Sequence, residues 1–314
     1  MRLAIDTWAP SFGPAASPGE DLEPASGPVE VHHEVHADDW SPRRASSTTA
    51  VLDDVRFVDG VRRIDARVWA WTDGDGGEPP RSRSAIAVSY GAGVVRSNGH
   101  ATVEDCEVRR ELLGPPGLPA LDARSVRYAA VAVPDADDDT LVAEAGQRMR
   151  ALEISMLRGV DDAQLTVVDG PLSGRQHVPS AVGYVKTHRI AYLPPVVEGV
   201  VPALEPGERT PLFLTRTSWS RWSWYLRLPH GADHPWAGVV RLEASAELGV
   251  DDAARLADRT CATLPRFASQ PHRDPRAPQN LLPIAGLERA LKRRLGDAAL
   301  MERRLRAAAA GLNR

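Results

Sequence analysis

From residue 48 onward the chain alternates apolar and polar positions in short runs. TTAVLDDVRFVDGV, RRIDARVWAWT, SAIAVSYGAGVV and VRYAAVAVP are β-branched or apolar segments parted by turn residues, which predicts three or four adjacent strands. The period then changes. In DADDDTLVAEAGQRMRALEISMLRGV, Leu141, Ala145, Met149, Leu152 and Met156 recur at helical intervals, and acids at 137 to 139 favour a helix start. This predicts an amphipathic helix packed on a sheet. AQLTVVDG follows as a strand ending in Asp169, then a short loop segment, then the strand SAVGYVKTHR. Such an order suits an α/β sheet with its site at strand ends.

Beyond residue 205 the pattern is β-rich again. Trp222, Trp224 and Leu226 alternate, which predicts a β-hairpin that uses them as core or as a dimer face. A competing reading makes Trp219, Trp222, Trp224, Tyr225 and Trp236, with Arg216, Arg221 and Arg227, a platform for unpaired bases. Near the C-terminus, Ile284, Leu287, Leu291 and Leu295 share one helical face, Gly296 is the expected break, and Asp297 starts a second helical piece. From Leu287 to Arg314 eight basic side chains stand against three acidic ones, so this tail is locally basic.

At the other end, residues 9 to 28 are rich in Pro, Gly, Ser and Ala and read as loop. VEVHHEVH then alternates as a half-buried strand, with Val29, Val31, His33 and Val35 on one side. Successive strand residues point to opposite faces, which argues against a metal cluster of His32, His33, Glu34 and His36.

Composition narrows the class. The 314 residues are 43% hydrophobic and 25% charged, enough for one large domain or two small ones with a substantial core. A net charge of -4 announces no global field for nucleic acid, so any such contact comes from local patches. Cys106 and Cys261 lack CxxC spacing, which argues against a disulfide framework or a thiolate zinc site and fits a reducing compartment. MRLAIDTWAP lacks a long apolar core, and no stretch approaches ~20 apolar residues, so the expected location is cytoplasmic, without a membrane span.

Chemistry enters with a repeated ending. VRFVDG and LTVVDG each carry an apolar run into an aspartate and a glycine, setting Asp59 and Asp169 at strand rims. Glu153 lies one helical turn from Met149, Met156 and Leu157, at the apolar stripe, where a charge needs a partner, a cation or a shifted pKa. A structural pairing with Arg150 or Arg158 would equally explain it. Together Asp59, Glu153 and Asp169 are the hard oxygen ligands that magnesium or manganese takes, and two such ions ~4 Å apart can activate water and stabilise a leaving phosphodiester oxygen. Gly60 and Gly170 are expected to permit tight turns and close approach of a phosphate backbone. A haloacid-dehalogenase-type phosphatase needs a second aspartate two residues after the first, where Val61 stands.

FVDGVRRIDARVWAW, MRALEISMLRG, LTVVDGPLSGR, VGYVKTHR and DPRAPQNLLPIAGLERALKRRLGD, in this order, resemble the bacterial branch of the NurA nucleases over roughly residues 48 to 300. The resemblance implies an α/β fold: a ribonuclease H-like mixed sheet flanked by helices, with a β-rich insertion and C-terminal helices. It implies a partly flexible N-terminal extension over 1–47 and a nuclease domain over 48–314, with a β-hairpin insertion at 205–245 and terminal helices at 284–310. Function follows as a manganese- or magnesium-dependent DNA nuclease, homodimeric, acting beside a HerA-type hexameric ATPase in DNA end processing. By the same resemblance Asp59, Glu153 and Asp169 are the metal ligands, and Tyr184 or Lys186 is the residue near the scissile phosphate. Two departures stand out. Val61 replaces the serine that often follows the first motif, and the family's late histidine has no clear counterpart, leaving His272, Gln279 or Asn280 for its space. Arg62, Arg63, Arg175, Arg273 and Arg276 are the expected DNA phosphate contacts. A catalytically silent adaptor that keeps the fold and recruits DNA or an ATPase is the alternative.

Overall fold

A computed structural model of the chain describes residues 23–24, 27–72, 81–134, 137–157, 163–178, 180–188, 190–217, 219–231 and 234–312. In chain order the strands are β1 (Glu23–Pro24), β2 (Val29–Glu30), β3 (Arg43–Arg44), β4 (Asp54–Thr72), β5 (Arg81–Asn98), β6 (His100–Gly114), β7 (Leu121–Ala123) and β8 (Val126–Ala132). Helix α1 (Asp138–Met156) leads into β9 (Leu165–Asp169), β10 (Ala181–Val185) and β11 (Ile190–Ala191). Then come the short helices α2 (Pro195–Glu198) and α3 (Val200–Ala203), strands β12 (Glu208–Arg209), β13 (Phe213–Arg216), β14 (Ser220–Arg227) and β15 (Val239–Ser245), and helices α4 (Val250–Thr263), α5 (Leu282–Leu295) and α6 (Ala298–Leu312). No helix among the described residues is long and apolar enough to cross a membrane. The fold is mixed α/β, and the chain divides into two compact units.

The first unit comprises residues 1–58, 95–102 and 159–286. Its strands run in the order β2, β13, β14, β15, β10, β9 and the start of β4. The first five neighbour one another antiparallel, whereas β10, β9 and β4 are parallel, so the sheet is mixed. The alternation in β14 sorts its side chains by face. Trp222, Trp224 and Leu226 join Val55, Phe57, Leu165, Val167 and the α4 residues Ala253, Leu256 and Ala257 in one core. Tyr225 instead packs with Phe213, Val239, Val197, Val200 and Val201 in another. Trp224 is fully buried and Trp222 nearly so, which makes these rings core, as alternation predicts, and removes them and Tyr225 from any base-stacking platform. Residues 205–245 thus supply β12 to β15.

The second unit comprises residues 59–94, 103–158 and 287–314. Its strands follow the order β4, β5, β6, β8, β7, with β6 and β8 parallel and β8 and β7 antiparallel. Period two in SAIAVSY again assigns the faces: Ile86, Val88 and Tyr90 meet Leu141, Ala145 and Leu152 of α1, and Ala85 and Ala87 share a core with Tyr128, Leu121 and Leu305 of α6. Helix α1 starts as its acids predict, with the Asp137 carboxylate accepting from the Thr140 amide at 2.8 Å. Gly296, at φ +81°, breaks α5 from α6, and Asp297 accepts from the Leu300 amide at 2.7 Å to start the latter, again as expected.

Several expectations are corrected. The first aspartate–glycine pair does not end a strand: β4 runs unbroken through Asp59 and Gly60 to Thr72. Strand β6 has no apolar alternation to reveal it, because most of its first half is exposed. Of the loop expected over 9–28, residues 9–22, 25 and 26 lie outside the described residues, and Glu23–Pro24 pairs parallel with Ile190–Ala191. The strand expected over VEVHHEVH stops at Glu30, so the opposite-face argument does not govern His32 and His33.

Candidate active site

In the second unit Asp59 is buried, at 8% exposure, and its Oδ1 accepts the Gly60 amide at 2.7 Å. Glu153, on the buried side of α1, is 3% exposed. A Cβ built on Gly60 would stand 2.4 Å from Glu153 Oε1 and 3.0 Å from Met149 Cγ. The space at Gly60 is thus taken by side chains of the helix that packs on the strand, and no turn is made there. The structure brings the Glu153 carboxylate against the residue that follows Asp59. Beside Gly60 opens a hollow of ≈ 690 Å³, whose lining includes Arg62, Arg150, Lys292, Asp139 and Glu288. Arg62 donates to the Val142 carbonyl and stays exposed.

Arg63 has a structural task. Its Nε donates to Asp65 Oδ1 at 2.6 Å, and its two terminal nitrogens donate to the Gly296 and Leu295 carbonyls at 2.6 and 3.2 Å, closing the C-terminal end of α5. Asp65 is fixed in turn by the Ser89 hydroxyl and by Tyr128 Oη at 2.9 Å.

In the first unit Asp169 closes β9 beside Tyr184 of β10. Its Oδ2 accepts Lys186 Nζ at 2.6 Å, and the same ammonium donates to Asn280 Oδ1 at 2.8 Å. Asn280 Nδ2 donates onward to Asp274 Oδ2 at 2.8 Å. Gly170, at φ +99°, makes the turn that LTVVDG predicts. The chain folds back on β10 there, and Gly183 allows it: a Cβ at 183 would meet the Leu172 amide nitrogen at 2.6 Å. That amide donates to Glu243 Oε2 at 3.0 Å. Burial raises the Glu243 carboxyl pKa, but Arg241 and Arg221, both on its Oε1 at 2.5 and 2.8 Å, outweigh it and leave the value lowered.

The remaining sequence candidates separate. Tyr184 is fully buried, donates to the Gln279 carbonyl at 2.7 Å, and has its phenol pKa pushed well up by burial and by the Asp169 charge. It is a packing residue behind Asp169, whereas Lys186 touches that carboxylate. His272 and Arg273 are exposed and face each other at 3.3 Å, while Asn280 is what reaches Lys186. Arg175 is buried and donates to the Pro171 carbonyl at 3.0 Å. Arg276 lies 3.9 Å from Asp274 Oδ1. Sequence reasoning missed Asp274, Glu243 and Arg241, and named Arg221 only as part of a base-stacking platform. The signal for Arg241 and Glu243 was present, since both interrupt the apolar run VVRLEAS at strand spacing.

Comparison of the chain with family models and with curated proteins finds no match. The donor set itself is informative. Carboxylate oxygens suit hard divalent ions, and the space at Gly60 that a Cβ would fill keeps the Glu153 carboxylate beside the strand that carries Asp59.

Proposed function

We propose that the chain is a divalent-metal-dependent DNA nuclease of the NurA kind, with a ribonuclease H-like core, that hydrolyses phosphodiesters at DNA ends. One observation carries this reading. Within the second unit the buried Glu153 carboxylate stands against Gly60, the residue that follows the buried Asp59. Asp169, which closes β9 in the first unit, is the third carboxylate of the proposed set.

In this reading Asp59, Glu153 and Asp169 hold manganese or magnesium, which when bound activates water and offsets charge on the leaving oxygen. The chain's own groups do the rest. Lys186, within 2.6 Å of Asp169, carries a positive charge to the phosphate that the site would receive. Arg62, Arg150 and Lys292 around the hollow attract the DNA backbone without reading its sequence. Asn280 and Asp274 orient Lys186. A HerA-type hexameric ATPase and a second copy of the chain are the proposed protein partners.

The test is cleavage of linear DNA with manganese. Folded Asp59→Asn and Asp169→Asn should each lose about 10³-fold in rate, the equivalent of several kcal/mol of charge stabilisation. Either variant cutting at the parental rate would overturn the assignment. A second reading has its own support: the Lys186 ammonium already neutralises Asp169, as it would in a silent adaptor. A chain that binds DNA but never cuts it, with or without the ATPase, is that adaptor.

A further inference from the structure

Away from the acids, the turn that follows β2 gathers two imidazoles and a carboxylate. One ligand atom each from Glu30, His32 and His33 lies within 4.8 Å of the other two. His33 Nε2 is 2.7 Å from Glu30 Oε2, and the His32 and His33 rings are stacked at 5.2 Å between centroids and 19° between planes. We propose that Glu30, His32 and His33 form a binding site for a zinc-class divalent ion, with a fourth position left to water.

The donor set selects the class of ion. Two neutral imidazoles and one carboxylate suit zinc and its borderline neighbours, whereas magnesium and calcium favour oxygen alone. Three protein ligands with water in the fourth position are a known composition of zinc sites that keep an open position. At ligand bonds of about 2.0–2.1 Å, donor atoms around a tetrahedral ion stand about 3.3–3.4 Å apart. The donor atoms here lie within 4.8 Å of one another, and the His33–Glu30 pair, at 2.7 Å, would open by about half an ångström to admit the ion.

The scaffold is already built. Glu30 is in strand register with Leu214 of β13, and its Oε1 is held by Arg216 Nε at 2.9 Å, while its Oε2 faces His33 Nε2 at 2.7 Å, a contact that an ion between the two would replace. The His33 ring stands edge-on to the buried Trp222 at 5.1 Å. The turn is pinned on both sides: the Val31 carbonyl accepts Trp40 Nε1 at 2.5 Å, and Glu34 takes Arg209 through both carboxylate oxygens, at 2.7 and 3.0 Å. Ligands held before binding lose little conformational freedom on binding. Glu34 and His36 do not join the site, because Glu34 belongs to Arg209 and His36 pairs with Asp38 at 3.2 Å. An ion here would clip the edge strand β2 to its own following turn.

The experiment uses the full chain, stripped with chelator, titrated with zinc against a chromophoric chelator in a large excess of magnesium. The magnesium occupies oxygen-only sites and competes poorly for imidazole. One zinc per chain is expected. His32→Ala and His33→Ala should each weaken it at least about tenfold, and the exposed His100→Ala should not change it. His32 is exposed, so His32→Ala should melt like the parent without zinc and lose the zinc-induced rise in melting temperature. Absence of a saturable site in the parent overturns the proposal, as does equal zinc affinity in parent and His32→Ala,His33→Ala.

Discussion

Gly60→Ala puts the geometry around Glu153 to a quantitative test. Gly60 lies inside an extended strand, where alanine on its own would stabilise the fold by about 0.4–1 kcal/mol through the unfolded chain. The added methyl, however, meets Glu153 Oε1 at 2.4 Å and Met149 Cγ at 3.0 Å. Overpacking of this kind costs about 1–3 kcal/mol, so it outweighs the entropic gain, and net destabilisation is expected. The nearer obstacle is the end of a side chain. In a Glu153→Ala background it is gone, only the Met149 contact remains, and the same Gly60→Ala change should be close to neutral. Urea denaturation of the four proteins in the cycle should therefore give a coupling of about 1–2 kcal/mol between positions 60 and 153. Strict additivity would refute the packing of Glu153 on Gly60, and with it the steric demand for a glycine at position 60.

The other predictions concern the first unit. Burial pushes the His188 imidazole down to about 4 from 6.5, so between these values the unfolded ring is protonated and the folded one is not. Stability is then complete above pH 6.5 and falls with pH by about 3 kcal/mol on reaching pH 4; His188→Gln should flatten that slope in denaturation series between pH 7 and 4.5. Glu34→Ala strips the buried Arg209 of a bidentate partner and should cost about 3–5 kcal/mol, whereas Glu205→Ala, which breaks the exposed pair with Arg44, should change stability by less than about 1 kcal/mol. Calorimetric melting of the two variants side by side checks both numbers.

What could be read from sequence was local. The start of α1, the turn at Gly170, the break at Gly296 and the inward side of β14 all follow from patterns a few residues long, where caps, glycine φ angles and period two act. What could not be read was set by partners far along the chain. VRFVDG and LTVVDG look alike, yet Gly170 turns the chain while Gly60 keeps it straight, because only Gly60 faces a helix 93 positions on. Strand β6 is recruited by its neighbours despite a polar sequence. Two adjacent histidines converge with Glu30 because the strand stops where the alternation VEVHHEVH continues.

The same long-range logic decides what Lys186 means. Its ammonium bridges Asp169 and Asn280, and the direction of the next bond, Asn280 Nδ2 to Asp274, fixes the amide with its oxygen toward the lysine. Lys186 therefore keeps a hydrogen-bond acceptor when Asp169 turns to another cation, and the nearby Asp274 charge reaches it through the Asn280 amide. A lysine whose only partner was Asp169 would resist such an exchange, since a nearly buried ammonium would be left alone. With Asn280 in place, the pair at Asp169 is a partnership that a doubly charged ion can displace. The ion pair at Asp169 is thus compatible with the adaptor reading and with the proposed metal site alike.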